Sequence, residues 1–344
     1  MRATSRGATT GIRVVATVTV LALGGLVAAC GQPAPQSSSG VGDTEVAKGG
    51  KLFNTADTET AKLGADVGPG VFPRTVNHAL GQTKLEKKPA RVVVLDSGEL
   101  DEVLSLGITP VGMATTAGAD GVPSYLADRA KGIPSVGKID NVNLEAIAGL
   151  NPDLILGSKL RAKDLYPKLS KIAPTVFSIR PGFPWKENLL LAGASLGEET
   201  KAVELLNGYQ KRANEVKKGI TGNPRISLVR FLSGNIRLYG NLSFIGVILK
   251  DVGLARPANQ DVADLAVQVA AERIDQADAD WIFYSSYGAG PSQDEKTVTG
   301  GALWAGLGAV KAKHAVRVDD EVWFLGLGPA GATKVLDDLA RALG

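Results

Sequence analysis

The sequence predicts an α/β protein of two lobes, each a mainly parallel sheet flanked by helices, with one long rigid helix joining them. Three observations predict it. From about Val71 to Gly344, apolar runs of strand length alternate with helical patterns, which implies parallel sheets covered on both faces. Pro184 to about Gly219 breaks that alternation and carries no strand signal. A motif recurs on either side of the break. Glu145-Ala-Ile147-Ala-Gly-Leu-Asn-Pro-Asp153-Leu-Ile155 matches Glu272-Arg-Ile274-Asp-Gln-Ala-Asp-Ala-Asp280-Trp-Ile282 at Glu, Ile, Asp and Ile, 127 residues on. Each copy reads as a short helix, an Asp turn and an entering strand. The match means either that the lobes correspond or that two helix-to-strand turns are alike.

Residues 1–29 read as an export signal: Arg2, Arg6 and Arg13 ahead of an apolar run from Val14 to Ala28, then a small-residue cleavage region. The run is short for a membrane span, which needs about 20 apolar residues. Val27-Ala28-Ala29-Cys30 resembles the bacterial lipobox, and Cys30 is the only cysteine. That resemblance implies lipidation of Cys30 after cleavage, with several acyl chains giving a firm anchor. The alternatives are a secreted chain with a spare thiol or an uncleaved anchor. Residues 30–71, opening Gly31-Gln-Pro-Ala-Pro-Gln-Ser-Ser-Ser-Gly40, read as a lipidated flexible tether. Removing three leader arginines from 38 basic residues leaves 35 against 35 acidic ones. A balanced mature chain gives no reason to expect nucleic acid, which favours a basic patch.

Residues 72–183 form the predicted N-terminal lobe. Arg74 to Glu86 alternates around Gly81-Gln82 and reads as a leading hairpin. Strands follow at Arg91–Leu95, Thr109–Ala114, Asp153–Gly157 and Thr175–Ile179, with a helix at Glu99–Leu106. Residues 184–220 are helical. Pro184 opens a helix to about Ala194, and Glu198-Glu199 opens a longer one closed by Lys217-Lys218-Gly219, in accord with helix dipole and C-cap preferences. Val203, Leu206, Tyr209, Ala213 and Val216 make one apolar stripe along it. At 1.5 Å per residue, some 21 residues span about 31 Å, enough to bridge two lobes. Residues 221–344 form the C-terminal lobe, with strands at Arg225–Val229 and Trp281–Tyr284 and Asp319-Asp320-Glu321 as a solvated turn between two strands.

Two motifs invite an enzymatic reading, and their contexts refuse it. Gly193-Ala-Ser195-Leu-Gly197 matches a nucleophile elbow, but that motif works at a strand-to-helix turn and here it lies between helices. Gly326-Leu-Gly328-Pro-Ala-Gly331 matches a dinucleotide fingerprint, but the required strand and acidic residue about 20 positions on are missing. It reads as a tight turn between a strand and the C-terminal helix. Two His, one Cys and two Met cannot build a His-rich or thiol-rich metal site. The sequence predicts no enzyme, no intrinsic cofactor and no protein-ligated metal.

The chain resembles the ABC-transporter solute-binding proteins for ferric siderophores, haem or cobalamin, the class with two α/β lobes joined by one long helix. The residues that carry the resemblance run from Phe72 to Gly344. They are Arg91-Val-Val-Val-Leu-Asp96 with Glu99 to Gly112, Ser135-Val-Gly137, Asn143-Leu-Glu145-Ala-Ile147, Leu150-Asn-Pro-Asp153-Leu-Ile155 and Leu165 to Thr175. The last segment is similar to the ferric-siderophore branch. The resemblance implies a monomeric binding lipoprotein outside the cytoplasmic membrane. It would serve a two-subunit permease with an ATPase. It also implies that Glu145 and Glu272, one per lobe, dock on permease arginines; the other reading is two ordinary solvated helix-start glutamates.

Ligands of open α/β sheets gather beyond the carboxyl ends of the strands. Guanidinium groups and aromatic rings recur there. Arg180, Arg230, Arg237, Tyr239 and Trp323 lead the candidates, followed by Trp185, Tyr284, Lys159 and Arg161. A ferric siderophore brings its own iron-binding oxygens, so its carrier needs cations and flat rings; arginine supplies forked hydrogen bonds and ring stacking. Several arginines favour catecholate over hydroxamate complexes. Haem fits the same inventory, with Tyr239 or Tyr284 as axial ligand; the other alternative is a non-transport envelope adaptor that retains the fold. Bland readings stand beside these: Trp185 suits a helix-start core position, Arg230 and Arg237 suit surface hairpin charges, and Tyr284 shares a strand face with Ile282.

Overall fold

The computed structural model describes residues 62–116, 121–288 and 290–344. The export signal, Cys30 and most of the tether lie outside the described residues. A three-stranded antiparallel sheet leads, with β1 Gly64–Ala65, β2 Arg74–His78 and β3 Gly81–Leu85. The first lobe follows with β4 Val92–Val94, α1 Ser97–Ser105, β5 Gly112–Thr115, α2 Ala127–Ala130, β6 Ser135–Lys138, β7 Asn141–Val142, α3 Leu144–Gly149, β8 Leu154–Ser158, α4 Lys159–Ala162, α5 Tyr166–Ile172 and β9 Thr175–Ser178. Its sheet order is β7-β6-β5-β4-β8-β9, parallel except for β7. Strand parity sorts the apolar residues of β4. Val92 and Val94 join one core cluster, while Val93 and the following Leu95 join another on the opposite face.

Two antiparallel helical segments then connect the lobes. α6, Trp185–Leu196, starts against the second lobe, where the Lys186 ammonium meets Asp251 at 3.0 Å. It ends on Gly197 in the left-handed region (φ 68°), with Ser195 Oγ buried and donating to the Leu191 carbonyl. The elbow-like motif is therefore a helix C-cap, where glycine meets no Cβ penalty. α7, Glu199–Gly219, runs back. Its first residue is paired to Arg74 of the leading hairpin, and Glu198 pairs with Lys88 at 2.5 Å. Its last turn lies on the second lobe, with Lys217 Nζ 3.2 Å from the Gly253 carbonyl. Ala202, Leu206, Tyr209, Ala213 and Val216 form its buried stripe; Val203 is only half-buried, so Ala202 leads the stripe in its place.

The second lobe comprises β10 Ile226–Leu232, β11 Asn235–Tyr239, α8 Phe244–Val252, β12 Ala266–Val269, β13 Trp281–Ser286, α9 Gln293–Thr299, α10 Ala302–Ala305, α11 Gly308–Lys311, β14 Ala315–Arg317, α12 Asp320–Trp323 and α13 Pro329–Leu343. The sheet order is β12-β11-β10-β13-β14, with β10, β13 and β14 parallel. The expected strand around Trp323 is instead the short helix α12. Asp319 opens it by accepting from the Glu321 amide, and Asp320 turns inward to a buried arginine rather than toward solvent. The glycine motif therefore joins two helices, not a strand and a helix.

The repeated motif shares its Asp turn and buried Ile in both lobes, although its helical segment is α in the first (Leu144–Gly149) and 3-10 in the second (Ala271–Ala277). Asp153 accepts from the Arg91 amide at the entrance to β4, and Asp280 accepts from the Arg225 amide at the entrance to β10. Ile147 and Ile274 are fully buried, while Glu145 and Glu272 are exposed. A carboxylate that pins two parallel strands together explains the Asp, and the core explains the Ile. Neither force acts on the exposed glutamates.

Candidate functional site

A cleft of about 360 Å³ opens between the carboxyl ends of the two sheets. The first lobe contributes Leu160, Arg161, Arg180, Pro181 and Gly182; the second contributes Arg230, Arg237, Tyr239, Tyr287 and the segment around Phe324. Strand parity places the second-lobe residues. On β10, Val229 and Phe231 enter the outer core, so Arg230 shares the inner face with Ile226 and Leu228. On β11, Ile236 and Leu238 are outer, which sends Arg237 and Tyr239 inward. Arg230 and Arg237 are cross-strand partners in the β10–β11 ladder.

The four arginines are electrostatically unequal. Arg230 is buried and forks onto Asp320, at 2.7 Å (Nε to Oδ1) and 2.6 Å (Nη2 to Oδ2). It also donates to the Tyr239 hydroxyl at 3.2 Å, and its guanidinium lies about 5 Å from the Tyr287 and Phe324 ring centroids. Burial pushes the Asp320 carboxyl up, and Arg230 opposes that rise. Arg161 is tied to Asp96 at 3.0 Å. Arg180 and Arg237 have no carboxylate partner among the described residues. Among the described residues Arg180 Nε is buried without a hydrogen-bond partner, its guanidinium lies 5.1 Å from the Phe183 ring centroid, and burial together with Arg161 pulls its pKa down against the opposing charge of Asp264. A buried N–H donor without an acceptor is costly, even on a half-exposed guanidinium. An anionic ligand group would remove that cost.

Trp185, Tyr284 and Lys159 lie elsewhere. Trp185 does not line the cleft: it is fully buried edge-to-face against Tyr209 and Phe244, at 4.8 and 6.0 Å between centroids. Tyr284 faces away on β13, packed on Trp304 in the outer core. Lys159 is exposed at the start of α4 and borders neighbouring hollows rather than the cleft. Trp323 lines the floor of the cleft as expected, but it is fully buried, stacked on Phe283 at 4.7 Å, with its indole donating to Asp338 at 2.8 Å. The sequence reaches Tyr287 and Phe324 only through the segments after the strands, Tyr284 to Tyr287 and Trp323-Phe324, and misses Asp320 as a ligand-site residue. Only the buried pairing with Arg230 distinguishes Asp320 from its exposed neighbours, and that pairing is a tertiary fact.

Beside the cleft, α1 buries Asp96, Glu99, Asp101 and Glu102. Burial, reinforced by the Asp96 carboxylate, pushes Glu99 up to about 8. A carboxyl whose folded pKa exceeds its unfolded value stabilises most when protonated. Its contribution is complete below the ordinary glutamate range and falls as pH rises toward about 8. Glu99→Gln is therefore expected to be more stable than the parent at about pH 8, with the gap closing near pH 5. Urea midpoints at the two pH values check this; equal gaps at both would contradict it.

The periplasmic binding protein family model matches residues 92–322. The probable siderophore-binding lipoprotein YfiY of Bacillus subtilis is 38% identical over 281 residues, covering 77% of this chain and 86% of that protein. The achromobactin-binding periplasmic protein of Dickeya dadantii is 30% identical, covering 74% of this chain and 87% of its own length. Among solved structures, Staphylococcus aureus SirA complexed with staphyloferrin B superposes with a TM-score of 0.71 at 32% identity, covering 78% of this chain and 98% of SirA. With the two α/β lobes and the cleft between them, these matches show that the chain belongs to the periplasmic binding protein family.

Proposed function

We propose that the protein captures a ferric siderophore outside the membrane and delivers it to a two-subunit ABC permease with its ATPase. One observation carries the reading. The interlobe cleft holds two guanidinium groups without carboxylate partners among the described residues, one from each lobe, beside exposed or half-exposed aromatic and aliphatic walls. A siderophore saturates iron with its own oxygens, so the complex presents charge and flat apolar faces, not open coordination sites. Relatives named for siderophore binding, ferric citrate and achromobactin support that cargo class. Haem is less well supported. Tyr284 packs in the outer core, and the Tyr239 hydroxyl is engaged by Arg230.

Cys30 would carry the lipid anchor, as the lipoprotein names among the relatives suggest, and the following tether would let a monomeric body reach the permease. The protein would act as a carrier and catalyse nothing. Exposed Glu145 and Glu272, at matching positions of the two lobes, would dock on the paired permease subunits. Glu145→Ala with Glu272→Ala is expected to abolish uptake of radioactive iron chelate while leaving chelate affinity unchanged. Normal uptake in the double variant would refute the docking role.

A further inference from the structure

We propose that Asp101 is a positioning residue that latches the two lobes together and holds the Phe324–Leu327 wall of the cleft. Asp101 belongs to α1 of the first lobe and is fully buried. Its carboxylate accepts from the Ala330 and Gly331 amides, each at 3.0 Å, in the first turn of α13 in the second lobe. Those amides have no partner within their own helix, and an anion there is favoured by the helix dipole. Ser105 Oγ donates to the same carboxylate at 3.0 Å. The Tyr125 hydroxyl lies between two acceptors, Asp101 Oδ2 at 3.1 Å and the Gly326 carbonyl, and donates its one proton to either.

The glycine motif that the ligand site leaves unexplained acquires a purpose here. A Cβ on Gly328 would lie 2.6 Å from Asp101 Cβ and Cγ; one on Gly331 would lie 3.3 Å from the Tyr125 hydroxyl and 3.0 Å from Gly326 Cα. One on Gly98 would lie 3.4 Å from the Leu327 carbonyl oxygen. Glycine at these positions lets α1 approach the second lobe closely enough for its carboxylate to reach the amides. α12 and the segment that follows it are held from the first lobe at further points: the Ser124 amide donates to Glu321 at 2.7 Å, and Ser97 Oγ donates to the Leu325 carbonyl at 3.3 Å. Phe324, Leu325 and Leu327 line the cleft. One carboxylate of the first lobe thus sets the place of a ligand-facing wall in the second, and with it the cleft width.

Asp101→Asn keeps the shape but removes the charge and one acceptor, and presents a donor toward amides that need none. Spin labels on Lys171→Cys and Lys311→Cys, both exposed and one in each lobe, in a full chain carrying Cys30→Ser, report lobe separation by pulsed dipolar spectroscopy. The parent is expected to give one narrow distance, and Asp101→Asn a broadened distribution whose mean shifts by several ångströms. A variant that is merely less stable, while native, keeps the parental distance. Should Asp101→Asn fail to fold, Tyr125→Phe, which deletes only the hydroxyl, is expected to broaden the same distribution. A parental distribution in whichever of these variants folds would overturn the latch. The measurement uses no ligand, so it stands apart from the identity of the cargo.

Discussion

Replacing Arg180 and Arg237 together with glutamine is expected to lower affinity for an anionic ferric chelate by about two to four orders of magnitude. Each removes a charged donor worth about 1.5–3 kcal/mol to an anionic partner, and each 1.4 kcal/mol is tenfold in affinity. These two are singled out because they alone among the four cleft arginines lack a carboxylate among the described residues. Arg180 is the more telling, since its buried Nε has no hydrogen-bond partner among the described residues. Arg230→Gln should behave differently. It would leave Asp320 buried without its cation and destabilise the fold, confounding any loss of binding. Tryptophan-fluorescence titration of the double variant, beside its thermal melt, separates the two effects. A loss below tenfold in a variant that melts like the parent would mean that the anion contacts lie elsewhere.

Lys186→Met is expected to cost about 3–5 kcal/mol of stability, the usual result of removing one member of a buried ion pair. The Lys186 ammonium meets both Asp251 oxygens at 3.0 Å, and both side chains are essentially inaccessible. The pair fastens α6 to α8, and the Tyr209 hydroxyl of α7 donates to the same carboxylate at 2.9 Å. One carboxylate therefore joins both linking helices to the second lobe. Deleting the lysine takes the cation away from a buried carboxylate, a loss that urea denaturation reads directly. Lys186→Met with Asp251→Leu should recover part of it, because removing both charges removes the desolvation cost with the attraction. A single variant within about 1 kcal/mol of the parent would contradict the claim, since only exposed pairs have effects that small.

Periodicity made the architecture legible, and parity made part of the site legible. The alternation of strands and helices, the apolar stripe of α7 and its length follow from local rules that the chain obeys. The repeat located Asp153 and Asp280 because the same local task, pinning a strand entrance, selects the same residue in each lobe. Arg230, Arg237 and Tyr239 were within reach of the rule that ligands gather past the strand ends, and the apolar parity of their strands explains why they face inward rather than lie as surface hairpin charges. The same rule, applied to Ile282 and Tyr284, points Tyr284 outward, as found. What local pattern could not reach were decisions made by distant residues. Asp320 looks like its solvated neighbours until Arg230 draws it inside, and with it the expected strand at Trp323 becomes a helical turn. Trp185 fits a cleft or a core equally well until Tyr209 and Phe244 close around it. Gly326, Gly328 and Gly331 imitate a nucleotide motif because close approach demands glycine whether the visitor is a phosphate or an aspartate from the other lobe.

The central claim is that the cleft holds a ferric chelate by its negative charge. Titration of the full chain with ferric citrate and with catecholate and hydroxamate siderophores, each with and without iron, and with haemin, tests it directly by tryptophan quenching. The expected result is submicromolar binding of at least one anionic ferric chelate, weaker binding of its iron-free form, weakening by added salt, and no displacement by haemin. Tight binding of haemin alone, or of a neutral hydroxamate complex unaffected by salt, would contradict it.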